Sequence, residues 1–141
     1  MSMNLTGNWT GFFLLDESYG PVLKGKKGFF VMELTDQEGI LSGSCSDVSG
    51  FGIKEIRNSI ITGEIKNGWV SFVKKYDKEI PIDVFGSDVS EANYNSEVFY
   101  EGVPDHLGNI VKGNWKIKLK NNTFGTEESV TGKWEMKRKE I

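Results

Sequence analysis

A chain of 141 residues carrying 17 basic and 20 acidic side chains, a formal net charge of -3, is sized for a single domain, 1–141, that buries its own core without disulfides or metals. Both charge signs are spread along the chain, which argues against nucleic-acid and anionic-membrane partners, since either would call for a basic footprint. One cysteine, Cys45, and one histidine, His106, exclude an intramolecular disulfide and leave few ligands for a transition metal, so no metal or other cofactor is expected.

The opening stretch, M-S-M-N-L-T-G-N-W, has no basic n-region, apolar h-region or small-residue cleavage site, and no apolar run reaches the ~20 residues of a membrane helix. The expectation is a cytoplasmic protein. The N-x-T triplets at Asn4, Asn8 and Asn121 then read as strand threonines rather than glycosylation acceptors.

The distribution of 17 glycines and 3 prolines among short runs of β-branched and aromatic residues predicts strands separated by turns, with no helix. The first strand covers 5–14 and is followed by a Gly- and Lys-rich link, 15–27. Next, 28–35 (G-F-F-V-M-E-L-T) turns at D-Q-E-G into 39–47 (G-I-L-S-G-S-C-S-D). A second hairpin joins 56–65 to 68–76 through Lys66-Asn67-Gly68, where Asn-Gly is the strongest short hairpin signal. The segment 77–93 is long for a loop in a compact domain; it reads as a lid, a binding loop or an extra edge strand bearing Ile80, Ile82, Val84 and Phe85. Strands over 94–103, 109–120 and 128–138 complete a set of eight. Consecutive antiparallel strands with mostly short links predict an all-β protein, an eight-stranded antiparallel up-and-down β-barrel whose closure removes exposed edges.

Alternation separates the inside from the outside. In the seventh strand Lys112, Asn114, Lys116, Lys118 and Lys120 alternate with Val111, Gly113, Trp115, Ile117 and Leu119, so the apolar set faces the interior. The eighth strand places Val130, Gly132, Trp134 and Met136 inward by the same rule, and the first places Leu5, Gly7, Trp9, Gly11 and Phe13. Apolar-x-Gly-x-Trp therefore occurs three times, at L-T-G-N-W, V-K-G-N-W and V-T-G-K-W, with glycine and tryptophan both facing in. Inward glycines relieve the sharp coiling of barrel strands, and the tryptophan two positions on is expected to fill the volume its glycine leaves. Gly43, Gly63 and Gly102 are expected at similar positions.

These motifs resemble the calycin superfamily, the lipocalins, fatty-acid-binding proteins and avidins, whose first strand carries G-x-W. The resemblance implies a basic residue from the last strand over the first tryptophan, here Arg138 over Trp9. The order L-T-G-N-W, G-I-L-S-G-S-C, I-T-G-E-I, G-W-V-S-F, Y-E-G, G-N-W-K-I looks most like the avidin and streptavidin branch. Its biotin site does not carry over: Gly11, Cys45, Trp134 and Thr126 stand where that branch places ligand-contacting Asn, Tyr, Asp and Trp. The chain also resembles small uncharacterised bacterial proteins with W-T-G near the start and G-x-W-E-M at the end.

No catalytic signature is present, and the chain reads as a non-enzyme. Cys45 and Asp47 share an inward face, but the only histidine sits in the turn V-P-D-H-L-G, so Cys45 reads as a small buried hydrophobe. Glu33, Glu97 and Glu101 fall outward, leaving Asp47 as the inward carboxylate, near a barrel mouth. The lysines Lys24, Lys26 and Lys27 read as a solvated loop rather than a phosphate cradle. The aromatic set Phe13, Phe30, Phe72, Tyr100, Trp115 and Trp134 fits a ligand cup and a packed core equally, because an eight-stranded barrel is just wide enough for either. In the cup reading a small, partly apolar ligand meets walls from Phe13, Phe72, Tyr100 and Trp115, and Asp47, Tyr76 and Ser96 orient its polar groups. In the other, a filled barrel acts on a protein partner through its surface and the 77–93 loop. Oligomeric state is not legible in the sequence.

Overall fold

The computed structural model describes residues 4–15, 27–50, 57–76, 97–118 and 129–139. They form eight strands: β1 (Gly7–Leu15), β2 (Lys27–Gln37), β3 (Ile40–Gly50), β4 (Arg57–Lys66), β5 (Trp69–Tyr76), β6 (Glu97–Pro104), β7 (Ile110–Lys118) and β8 (Ser129–Arg138). Each pairs antiparallel with its sequence neighbour, and β1 pairs with β8, which closes an up-and-down barrel. There is no helix among the described residues. Segment 77–93 and Ser96 lie outside them.

Local chemistry explains the pairing. In β2 every second residue is buried from Gly28 to Asp36, the period-2 signature of a sheet with one dry face. Glu38 and Gly39 (φ 54° and 88°) and Asn67 and Gly68 (φ 52° and 81°) place both central residues of two tight turns in the left-handed region. That is the type I′ geometry whose twist matches the flanking strands, and it sets the β2–β3 and β4–β5 registers.

The barrel corrects one expectation about the repeated motif. Trp115 and Trp134 do not fill the gap left by the glycine of their own strand; each fills a gap on another strand. Trp115 stands opposite Gly132, and its indole ring occupies the space where a Cβ on Gly132 would lie. Phe13 covers Gly28 and Phe30 covers Gly11 in the same way, each opposite its partner in register. The ring of Trp134 reaches past its partner Gly113 to Gly102, where an added Cβ would come within 2.9 Å of it. Strand-interior glycine is thus compensated by cross-strand aromatic packing.

One end of the barrel is plugged. Leu5 and Trp9 are fully buried, and the Trp9 indole donates to the Leu5 carbonyl at 3.0 Å. The buried Asp36 carboxylate accepts the backbone N–H groups of Leu5 (2.9 Å) and Gly39 (3.0 Å), tying the chain entry to the β2–β3 turn. As the calycin resemblance implies, Arg138 lies over the Trp9 ring at 4.6 Å. Its fork donates to the carbonyls of Thr6 (2.8 Å), Asn4 (2.9 Å) and Gly108 (3.0 Å), so one side chain holds three segments together. Replacing Arg138 with lysine keeps the charge but loses the planar fork. The expected cost is about 2 kcal/mol, read as a lower urea midpoint with an unchanged slope.

The opposite rim has a different character. The described strands stop there at Leu15, Gly50, Tyr76 and Lys118, and the four longest connections, 16–26, 51–56, 77–96 and 119–128, leave from that end.

Candidate functional site

Just inside this rim, β3, β5 and β6 bring together a buried polar cluster. In β5 the alternation buries Phe72, Lys74 and Tyr76 on one face. A register shift between Phe29 and Phe30 lets β3 gain a residue on β2, leaving Val48 exposed and setting Asp47 opposite Phe30 with its side chain inward. Phe72 pairs with Tyr100, which carries the Tyr100 hydroxyl to the level of Lys74.

Lys74 is the centre. Its side chain is 0% exposed, and its Nζ donates to Asp47 Oδ1 at 3.0 Å and to Tyr100 Oη at 3.1 Å. The Tyr76 hydroxyl donates to the other carboxylate oxygen, Asp47 Oδ2. Four rings surround the ammonium, with centroids at 4.7 Å (Phe30), 4.8 Å (Tyr100), 5.5 Å (Phe13) and 5.7 Å (Tyr76). This is an aromatic cage of the kind that binds ligand cations, filled here by the protein's own side chain. The Cys45 Sγ lies 4.0 Å from Asp47 Oδ1, and the Ser59 hydroxyl donates to the Cys45 carbonyl at 3.3 Å.

Burial is the largest single influence and disfavours the Lys74 ammonium, but Asp47 together with Cys45, Tyr100 and Tyr76 outweighs it and raises the pKa well above that of a free lysine. Lys74 is therefore a fixed cation at neutral pH, neither a base nor a nucleophile. Burial pushes the Tyr100 hydroxyl up to about 12 and the Cys45 thiol up to about 11, in each case against the pull of Lys74. A thiol held protonated in this way is inert. Alkylation of native Cys45 by iodoacetamide at pH 8 is expected to run at least about 100-fold slower than in the urea-unfolded chain. A native rate within a few-fold of the unfolded one would contradict its burial.

Of the residues singled out from the sequence, Asp47, Tyr76 and Tyr100 converge on Lys74. Phe72 stacks on Tyr100 (4.9 Å between centroids, 8° between planes) and supports it from below. Phe13 and Trp115 meet edge to face at 6.3 Å, with the Trp115 indole donating to the Leu14 carbonyl at 3.1 Å. Ser96 lies outside the described residues. Lys74 was not anticipated, although the strand W-V-S-F-V-K-K-Y held the signal: once Phe72 is a wall, parity puts Lys74 and Tyr76 on the same inward face and Lys75 outside.

A concavity of about 960 Å³ lies on the outer wall of β4 to β8, bordered by Thr62, Glu64, Ser71, Asn114, Lys116 and Lys133. These six side chains point away from the lumen, and the interior residues Phe72, Tyr100 and Trp115 also line the hollow, so it lies against the wall that carries Tyr100. Among the described residues no group of three or more His, Cys, Asp and Glu is placed to hold a metal ion, and no helix is long and apolar enough to cross a membrane. Comparison with protein-family models, with curated proteins and with solved structures finds no match, so the geometry of the barrel itself carries the functional reading.

Proposed function

We propose that the barrel, a calycin-like scaffold, binds a small, partly apolar molecule at its loop-bearing rim without transforming it. Asp47, Lys74, Tyr76 and Tyr100 form the polar floor, and Phe13, Phe72 and Trp115 the apolar surround. One observation carries the reading: a fully buried ion pair sits at the end where the four longest connections leave, while the other end is plugged by Trp9 and Arg138. Buried ion pairs seldom add stability over apolar residues of equal size, so a costly polar cluster at the loop-bearing end fits recognition better than folding. Raised lysine and cysteine pKa values support binding without chemistry, since neither group is activated.

The test is a small-molecule panel read by tryptophan fluorescence and thermal shift, on the natural protein and on the double variant Lys74→Met with Asp47→Leu. Saturable changes in the first that vanish in the second, with the double variant still folded, are expected. A panel that never perturbs the natural protein overturns the reading. The outer concavity favours a second one, a protein-interaction module. There, Ser71→Arg with Asn114→Arg would abolish partner capture and leave small-molecule responses unchanged.

A further inference from the structure

The hydrogen bonds of the cluster leave one hydroxyl donor over, and that donor selects a ligand class. Two of the three Lys74 ammonium hydrogens go to Asp47 and Tyr100 and the third is left among the four rings, while the two Asp47 oxygens receive Lys74 and Tyr76. The Tyr76 hydroxyl spends its hydrogen on Asp47, and the Ser59 hydroxyl spends its own on the Cys45 carbonyl. Tyr100 differs: its oxygen accepts from Lys74, and its hydrogen has no acceptor among the described residues. The residue is 4% exposed, so water does not readily serve it, and buried donors without partners are rare in folded proteins. Accepting a hydrogen bond from an ammonium also polarises the Tyr100 O–H and makes it a stronger donor.

Charge narrows the class further. Lys74 and Asp47 neutralise each other, so an anionic ligand would meet no free cation and would lie in a dry site beside a carboxylate. A cationic ligand would need the aromatic cage, which Lys74 fills. We infer that the ligand is uncharged and presents a carbonyl-type hydrogen-bond acceptor to the Tyr100 hydroxyl, with its apolar body against the aromatic residues of the rim. This rests on the small-molecule reading above and sharpens it: Tyr100 is the specificity-determining contact, and the ion pair acts through it.

Four probes of nearly equal shape test the inference: acetophenone (neutral carbonyl), cumene (hydrocarbon), benzoate (anion) and benzamidinium (cation). Their dissociation constants are measured on the natural protein, Tyr100→Phe and the control Trp69→Phe by chemical-shift titration. The expected order on the natural protein places acetophenone about tenfold tighter than cumene, with both ions weaker than acetophenone. Tyr100→Phe is expected to bring acetophenone down to the cumene value without weakening cumene, whereas Trp69→Phe, at an exposed ring outside the site, keeps the preference. Tighter binding of either ion, equal binding of acetophenone and cumene, or a preference that survives Tyr100→Phe overturns the carbonyl inference and leaves the ligand-binding reading standing. Absence of saturable binding by all four overturns both. The ranking on the natural protein decides the matter even where a variant does not fold.

Discussion

Lys74→Ala is expected to lower the stability of the barrel by about 3–5 kcal/mol, because it strands the Asp47 carboxylate in a dry interior with only the Tyr76 hydroxyl and the weak Cys45 thiol donor among the described residues to serve it. The lost cation also leaves a gap among Phe13, Phe30, Tyr76 and Tyr100. Asp47→Ala should cost a similar amount by stranding the ammonium. The double change Lys74→Met with Asp47→Leu is expected to recover most of the loss, since it fills the space and removes both charges; what remains is the Tyr76 hydroxyl without its acceptor. Urea denaturation of the natural protein, Lys74→Met, Asp47→Leu and their combination closes a double-mutant cycle, and additive single losses would show that the pair is not coupled.

The same pair sets the alkaline limit. Folding raises the pKa values of Lys74, Tyr76 and Tyr100, so as pH rises the unfolded chain loses protons before the folded one. The stability these groups contribute is complete below about pH 10, where the unfolded side chains remain protonated, and falls as pH climbs toward the Tyr100 value of about 12. Absorbance at the tyrosinate band should therefore show Tyr76 and Tyr100 ionising together with unfolding rather than before it. A double variant without Lys74 and Asp47 should lose the lysine share of that slope.

Trp134→Ala is the second large effect, at about 3–5 kcal/mol. The Trp134 ring packs edge to face on Phe72 (5.4 Å, 76°) and Tyr100 (5.3 Å, 73°), and its indole N–H is shared between the carbonyls of Glu101 (3.0 Å) and Asn114 (3.1 Å). That reach is open because Gly102 and Gly113 have no side chains in the way. Trp134→Phe keeps part of the ring and loses the donor, so about half the loss should return. Gly102→Ala should not refill the cavity: an added Cβ there points into the Lys112 carbonyl of the adjacent strand, so the double variant should be less stable than Trp134→Ala alone. Recovery of stability in that double variant would contradict the cross-strand packing described for the barrel. Because Trp134 backs Tyr100, its loss should also loosen the floor of the rim site.

Several features were legible in the residues alone because they are properties of a single strand or turn. Lysines alternating with Val111, Trp115 and Ile117 dictate which face of β7 is dry, and positive-φ residues at Asn67-Gly68 dictate a tight hairpin, whatever the rest of the chain does. Eight such elements in antiparallel succession have few ways to hide their edges other than closing, and the observed barrel follows. The inward parity of Asp47, Tyr76 and Tyr100 came from the same rule.

What only the tertiary structure decided are relations between strands. Register chose which aromatic covers which glycine, so the partner of Trp115 is Gly132, 17 positions along, rather than Gly113 beside it. Lys74 is the sharper case. Its residue type argues for water, and that preference is reversed only by Asp47, 27 positions away and on a strand that does not pair with its own. No local pattern carries that information, because the desolvation of an ammonium is tolerable only where closure of the barrel delivers a carboxylate, a tyrosine hydroxyl and four ring faces to the same few ångströms.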